Sequence, residues 1–399
     1  MLFDLKAACL ALTLGWLAVA PAFTADAPPA SITGPAVAWK FNTGQEVVAA
    51  PVVADGVVYC GSKGGGVFAL DAATGAQVWK AQMKFPVTAR AALAGDAVVL
   101  ECANALHGLD RKTGQERWRF VARPYRPIAS MDFTDYHRSS PVIVDQVAYF
   151  GDDWGNLNGV NVADGSLAFQ YTTATQRPIR ATAAVHQGAV YFGDWEGEVY
   201  AVSLADRKLL WQRPLENRRD YYGAVVSEFV VADGLVYFGA QHDVFAPLEQ
   251  TTGKPAWTFA EANHTYLPAT PLIHEGRAII ATTIFTNSVL CLDRGRIAWA
   301  FKGEGIFFTK PVLHGSTLIV NSSQFGGPGY LYLLEVGSGK LINQLRIEKA
   351  SPSAPAVDDD RVYLGAGDGC IYALRLAELL APAPRQPEGG AAGGVGGKL

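Results

Sequence analysis

Apolar and polar positions in this chain alternate between short apolar runs and polar turns, in an order that repeats. VVYCGSKGGGVFALDAATGAQVWKA (Val57 to Ala81) shows the unit: an apolar run, a glycine-rich turn, a second apolar run, an Asp-x-x-Thr-Gly turn, and a third run carrying Trp79. Apolar runs of this length bounded by Gly, Asn and Asp predict β-strands. A further short strand and turn, PVVADG (Pro51 to Gly56), comes first, which makes four strands per unit. Asp71 can accept backbone N–H bonds within its turn, and Gly75 supplies the positive φ that a tight turn needs.

The unit recurs. The second strand returns as VVLEC (Val98 to Cys102), VAYFG (Val147 to Gly151), AVYFG (Ala189 to Gly193), LVYFG (Leu235 to Gly239) and RVYLG (Arg361 to Gly365), with weaker copies at Ala278 to Ala281 and Thr317 to Asn321. The turn returns as GLDRKTGQERW (Gly108 to Trp118) and PLEQTTGKPAW (Pro247 to Trp257), and in shortened form at Asp293 to Gly295. Units close on Trp39, Trp79, Trp118, Phe169, Trp211, Trp257 and Trp299, with Asn343 in the next slot, at spacings of 39 to 51 residues. That period fits the roughly 40–50 residues of a propeller blade. A four-stranded sheet apolar on both faces is stable only between two neighbours, so such sheets pack around an axis into a ring. The closing aromatics are read as blade-docking side chains, each able to bury about 200 Å².

Seven copies carry four strands. The last, Ser353 to about Leu376, carries three, and its missing strand stands at the other end as VAWKF (Val37 to Phe41). Pairing the two would satisfy two open edges. The expected fold is all-β: an eight-bladed β-propeller of four-stranded antiparallel blades, closed by the N-terminal strand and occupying residues 36–380.

Composition adds little to that frame. Lys and Arg total 33 against 37 Asp and Glu, a formal charge of −4, and the basic residues are scattered, so no nucleic-acid partner is expected. Residues 1–22 contain the apolar run from Ala7 to Ala22, too short to span a membrane, after Lys6 and before Ala20-Pro21-Ala22; they read as a signal peptide. Cys9 lies too early in that run for a lipoprotein cleavage site, so acyl anchoring is not expected. Residues 23–35 read as a linker, and 381–399 as a disordered Gly/Pro-rich tail. The mature chain is expected to be a periplasmic or secreted monomer without a transmembrane span. Cys60, Cys102, Cys291 and Cys370 allow three pairings, or none.

The Tyr-x-Gly strand end, the Ala-Leu-Asp-x-x-Thr-Gly turn and the terminal Trp closely resemble the repeat of PQQ-like, quinoprotein-type β-propellers, over Val37 to about Leu376. Within that family the resemblance implies one of two kinds of protein. One is the quinoprotein alcohol dehydrogenases, with PQQ and Ca²⁺. The other is non-catalytic eight-bladed periplasmic scaffolds of the BamB-like subclass.

Function in a propeller usually sits on the face shared by the loops between blades and those between second and third strands. Counting back from each second strand aligns Ala50 with Arg90, Ser140, Thr182, Glu228, Thr270, Lys310 and Ala354; Arg138 and Arg180 stand two residues before their own blades' positions. Arg90, Arg138, Arg180 and Lys310 are expected to form a basic rim with Glu228 opposite. That is an anion or acidic-peptide site, or a set of solvated loop charges. The connector from Arg119 to Arg138 offers Tyr125 and Arg126, residue types that dominate binding hot spots, or packs across the mouth. Trp154 and Trp195, in GDDWGN and GDWEGE, stack on a ligand ring or lie over their own blades.

Catalytic signals are few. The dehydrogenase relatives carry adjacent cysteines, a calcium ligand set and an Asp base. This chain has no adjacent cysteines, and no carboxylate-plus-Asn set matches the family's calcium motif. G-x-S-x-G, H-E-x-x-H and P-loop motifs are lacking too. The sequence therefore predicts a non-enzymatic scaffold that binds a protein segment or small ligand on the interblade-loop face, with no cofactor, metal or catalytic residue, and the resemblance implies a role in envelope assembly. A small PQQ-dependent oxidoreductase of alcohols or sugars, using PQQ and Ca²⁺, is the alternative.

Overall fold

A computed structural model of the chain describes residues 32, 34–124, 138–215, 224–241, 244–260, 267–283, 286–324 and 327–381. Its strands form eight radial antiparallel blades. Blade 1 is Val52–Ala54, Val57–Gly61, Gly66–Asp71 and Gln77–Gln82, paired in that order, and the pattern repeats around the axis. Blade 8 contains Ala356–Val357, Arg361–Gly365 and Cys370–Arg375, and takes its outer strand, Val37–Asn42, from the start of the chain. Trp39 faces Ala373 in that pairing. Ser351 and Ser353 add hydroxyl bonds to the carbonyls of Val47 and Ala49, the latter at 2.9 Å, so two segments 304 residues apart close the ring.

Burial explains the sequence pattern. The second and third strands of the regular blades are buried at nearly every position, because a neighbouring blade covers each face. They therefore read as continuous apolar runs instead of alternating ones. Outer strands bury mainly their central aromatic, as in Gln77–Gln82 around Trp79. Among the described residues, eight apolar clusters lie one at each interface between neighbouring blades.

Each closing tryptophan docks on the next blade's turn. The indole N–H of Trp39, Trp79, Trp118, Trp211 and Trp299 donates to a carbonyl there (Ala72, Arg111, Val162, Gln250 and Val336) at 2.7–3.0 Å. The ring lies against that turn's glycine so closely that a Cβ on Gly75 would stand 2.6 Å from Trp39. Phe169 is the instructive exception. The turn it faces carries Arg207, at φ +59°, in the glycine slot, and Arg207 bonds back to the Ala168 carbonyl. The smaller ring leaves room for a side chain. Asn343 keeps the bond without the ring: its Nδ2 donates to Leu379 of the short helix Leu376–Leu380, which stands where the other blades have a turn.

Two details depart from the expected repeat. Blade 5 has only fragments of its third and fourth strands, Val244–Phe245, Leu248–Glu249 and Phe259–Ala260. Pro247 and Pro255 remove ladder donors there, and Trp257 is left half-buried outside any strand. In blade 2 the register of VVLEC shifts by one. Val99 occupies the position of Tyr59, so Glu101, not Cys102, fills the glycine slot of Gly61. The loop that follows is a two-residue hairpin, Ala103-Asn104, with both φ positive at 55° and 63°.

All four described cysteines are buried free thiols. Burial pushes the Cys60 thiol up to about 12.

Candidate functional site: the channel mouth

The eight positions aligned with Ala50 converge on one mouth of the central channel, a cavity of about 100 Å³. Three of them are occupied by hydroxyls with a structural task. Ser140 Oγ accepts the Arg90 N–H at 3.1 Å, Thr182 Oγ1 accepts the Ser140 N–H at 3.0 Å, and Thr270 Oγ1 accepts the Glu228 N–H at 2.9 Å. Each ties the start of one blade to the next. A buried amide without such a partner would cost about 1–3 kcal/mol.

The charged residues do not stand apart as an open rim. Glu228, from blade 5, places one carboxylate oxygen 2.8 Å from Arg90 Nη2 of blade 2 and the other 3.2 Å from Lys310 Nζ of blade 7. Burial alone would raise its pKa. The charges of Arg90 and Lys310 outweigh that and hold it below the usual glutamate value.

Arg138 and Arg180 are corrections to the rim picture. Arg138 still lines the mouth, whereas Arg180 does not, and both are paired with Asp153. Arg138 Nη1 lies 2.7 Å from Asp153 Oδ2, and Arg180 Nε 3.3 Å from Oδ1. The Arg180 side chain is 2% exposed and lies 4.6 Å from the ring centre of Trp195. Desolvating a guanidinium is tolerable only beside a charge, and the buried Asp153 supplies it. Trp154 and Trp195 are likewise not an open aromatic pair. Both are half-buried; Arg123 covers Trp154 at 5.5 Å, as Arg180 covers Trp195. Tyr125 and Arg126 lie outside the described residues.

The Asp153 cluster extends to two residues that the sequence analysis did not single out. Asn104 donates from Nδ2 to Asp153 Oδ2 at 3.1 Å and accepts the Asp153 N–H on Oδ1 at 3.1 Å. Glu101, 3% exposed, accepts the Asn104 N–H at 2.8 Å. Burial pushes the Glu101 carboxyl up to about 7, and the charge of Arg138 only partly offsets it. The signal was present: a glutamate stands where most copies of the second strand have glycine. Writing the strand as VVLEC, which ends on Cys102, hid it, although the count that aligns Arg90 with Ala50 places Glu101 at that glycine. The cluster joins blades 2, 3 and 4 and reaches the mouth through Arg138.

Among the described residues, no group of three His, Cys, Asp or Glu side chains is arranged to hold a metal ion. No helix is long and apolar enough to cross a membrane.

Comparison with known proteins completes the picture. The family model described as outer membrane protein assembly factor BamB matches residues 36–217 and 174–299. The protein of that name from Yersinia pestis is 23% identical over 328 residues, covering 79% of this chain and 68% of its own. The crystal structure of BamB from Moraxella catarrhalis superposes with a TM-score of 0.59 at 15% identity, covering 85% of this chain and 88% of that one. Quinohemoprotein alcohol dehydrogenase from Comamonas testosteroni superposes with a TM-score of 0.66 at 13% identity, covering 88% and 77%. Structural likeness at these identities shows the eight-bladed architecture, which scaffold and enzyme share. The family match spans more than half of the chain and rests on its repeats: the chain belongs to the PQQ-like β-propeller family of the outer membrane protein assembly factor BamB.

Proposed function

We propose that this protein is a non-enzymatic scaffold of outer membrane protein assembly, working on the periplasmic side, and that it holds a partner polypeptide on the face bearing the channel mouth. The observation that carries the reading is the cross-channel bridge of Glu228 to Arg90 and Lys310 in a chain of the BamB family. That bridge occupies the channel mouth. The cavity of about 100 Å³ compares with roughly 300 Å³ or more for ordinary small-molecule sites. The one carboxylate among its described lining residues gives an oxygen to each of two cations. These residues do not fit a calcium–quinone pair, and no step is derived through one.

The test is capture of envelope proteins by the tagged mature chain. Outer membrane assembly proteins should be recovered, and recovery should fall with salt and with Arg90→Glu/Lys310→Glu. Arg138→Glu is a poor probe, because it would put a second carboxylate beside Asp153. Recovery indifferent to salt and to both substitutions refutes the binding face. Dye reduction with an alcohol after loading with PQQ and Ca²⁺ refutes the scaffold.

A further inference from the structure

We propose that the channel mouth is a receptor for one carboxylate of an extended partner chain, seated between Arg90 and Lys310, and that Glu228 is a built-in competitor for that seat.

Ring order carries the inference. Going around the mouth from blade 7 to blade 2, the positions read Lys310, Ala354, Ala50, Arg90. Two cations therefore flank an alcove walled by two alanines. The other arc reads Ser140, Thr182, Glu228, Thr270, and its three hydroxyls are committed to neighbouring amides. Glu228 occupies the fifth of the eight positions, opposite Ala50 in the first. Its carboxylate reaches across the axis to both cations.

The restraint on Glu228 is one-sided. The Glu228 backbone is pinned by Thr270 and by a bridge to Thr182, with the Phe229 N–H on the Thr182 carbonyl. Only its side chain is held by charge alone. Arg90 and Lys310 keep 39% and 38% of their side chains exposed, so a ligand descending the axis meets them directly. Arg138 also lines the cavity, but it and Arg180 are neutralised by Asp153, which leaves Arg90 and Lys310 against one carboxylate at the seat. A second carboxylate balances that excess, and the cavity of about 100 Å³ has room for an acidic side chain or a chain terminus.

This inference rests on the proposed partner-binding face. It is tested on the folded chain with labelled peptides, so that its failure is separate from a failure to capture assembly partners. The probes are acetyl-GGEGG-amide, acetyl-GGGGG with a free C-terminus, and acetyl-GGQGG-amide. Glu228→Gln should bind at least one of the first two about tenfold more tightly than the wild-type chain. The gain should weaken with salt, be lost in Arg90→Gln/Lys310→Gln, and be missing for the glutamine peptide. Binding of the first alone assigns an acidic side chain, of the second alone a C-terminus, and of both a site that reads the carboxylate itself. If the double variant does not fold, Lys310→Gln in the Glu228→Gln background replaces it and should reduce the gain. Equal binding by Glu228→Gln and the wild-type chain overturns the inference, as does binding that survives loss of the cations. Intact carboxylate binding without partner capture would refute only the proposed function.

Discussion

Gly75→Ala tests the docking of one blade on the next, and Trp39→Phe tells whether the reason is right. Gly75 sits at φ +74°, and an added Cβ would stand 2.6 Å from Trp39 Cδ2. The backbone conformation alone costs a non-glycine residue about 1–2 kcal/mol. Pushing the indole away adds about 1–3 kcal/mol of overpacking. Gly75→Ala should therefore destabilise by ~3 kcal/mol. The molecule contains a control of its own, since Phe169 faces Arg207 at the equivalent position. With Trp39→Phe already present, the packing part should vanish and only the backbone cost remain. The double-mutant cycle should give a coupling of about 1–2 kcal/mol in the relieving direction. Urea unfolding reads it as a shift of midpoint at unchanged slope. A Gly75→Ala cost equal in both backgrounds would show that ring size does not set the glycine requirement.

Other outcomes follow from the same geometry. Glu101 titrates near 7 in the folded chain against about 4.5 when exposed. The folded state then binds the extra proton between these values, so the contribution of Glu101 to stability is fully present below pH 4.5 and is lost as pH rises through 7, by ~3 kcal/mol. Glu101→Gln should remove that slope from thermal or urea unfolding measured from pH 4.5 to 7.5, and an unchanged slope refutes the assignment. Asn343→Ala should cost about 1 kcal/mol and speed amide exchange in Leu376–Leu380, because Nδ2 no longer holds Leu379; unchanged exchange would deny that role. Cys60, Cys102, Cys291 and Cys370 should resist a thiol reagent in the native chain and all react in denaturant; fast native labelling would contradict their burial.

The repeat was readable because blades are made of local signals. Two-sided burial writes continuous apolar strands, the Asp-x-x-Thr-Gly turn writes its own hydrogen bonds, and one aromatic per unit marks the outer strand. Asp71 illustrates it: its Oδ1 accepts the N–H groups of Ala73 and Thr74 and the Thr74 hydroxyl, all within four residues. The site was readable only in part. Counting along the repeat brought Arg90, Glu228 and Lys310 to one mouth, since equivalent positions in a ring face the same axis. It could not say that Arg138 and Arg180 pair with Asp153, because Asp153 belongs to a different loop and its support, Asn104, to a different blade. A one-residue slip in blade 2 also hid Glu101.

Sequence alone determined the number of blades, their order and the N-terminal strand that completes the last of them. Each of these follows from periodic local patterning and from an edge that must be paired. Tertiary structure alone decided which charges remain at the mouth and which are buried. Side chains 27 to 138 residues apart meet only after the ring closes, and the strength of a charge depends on the burial and the partners it finds there.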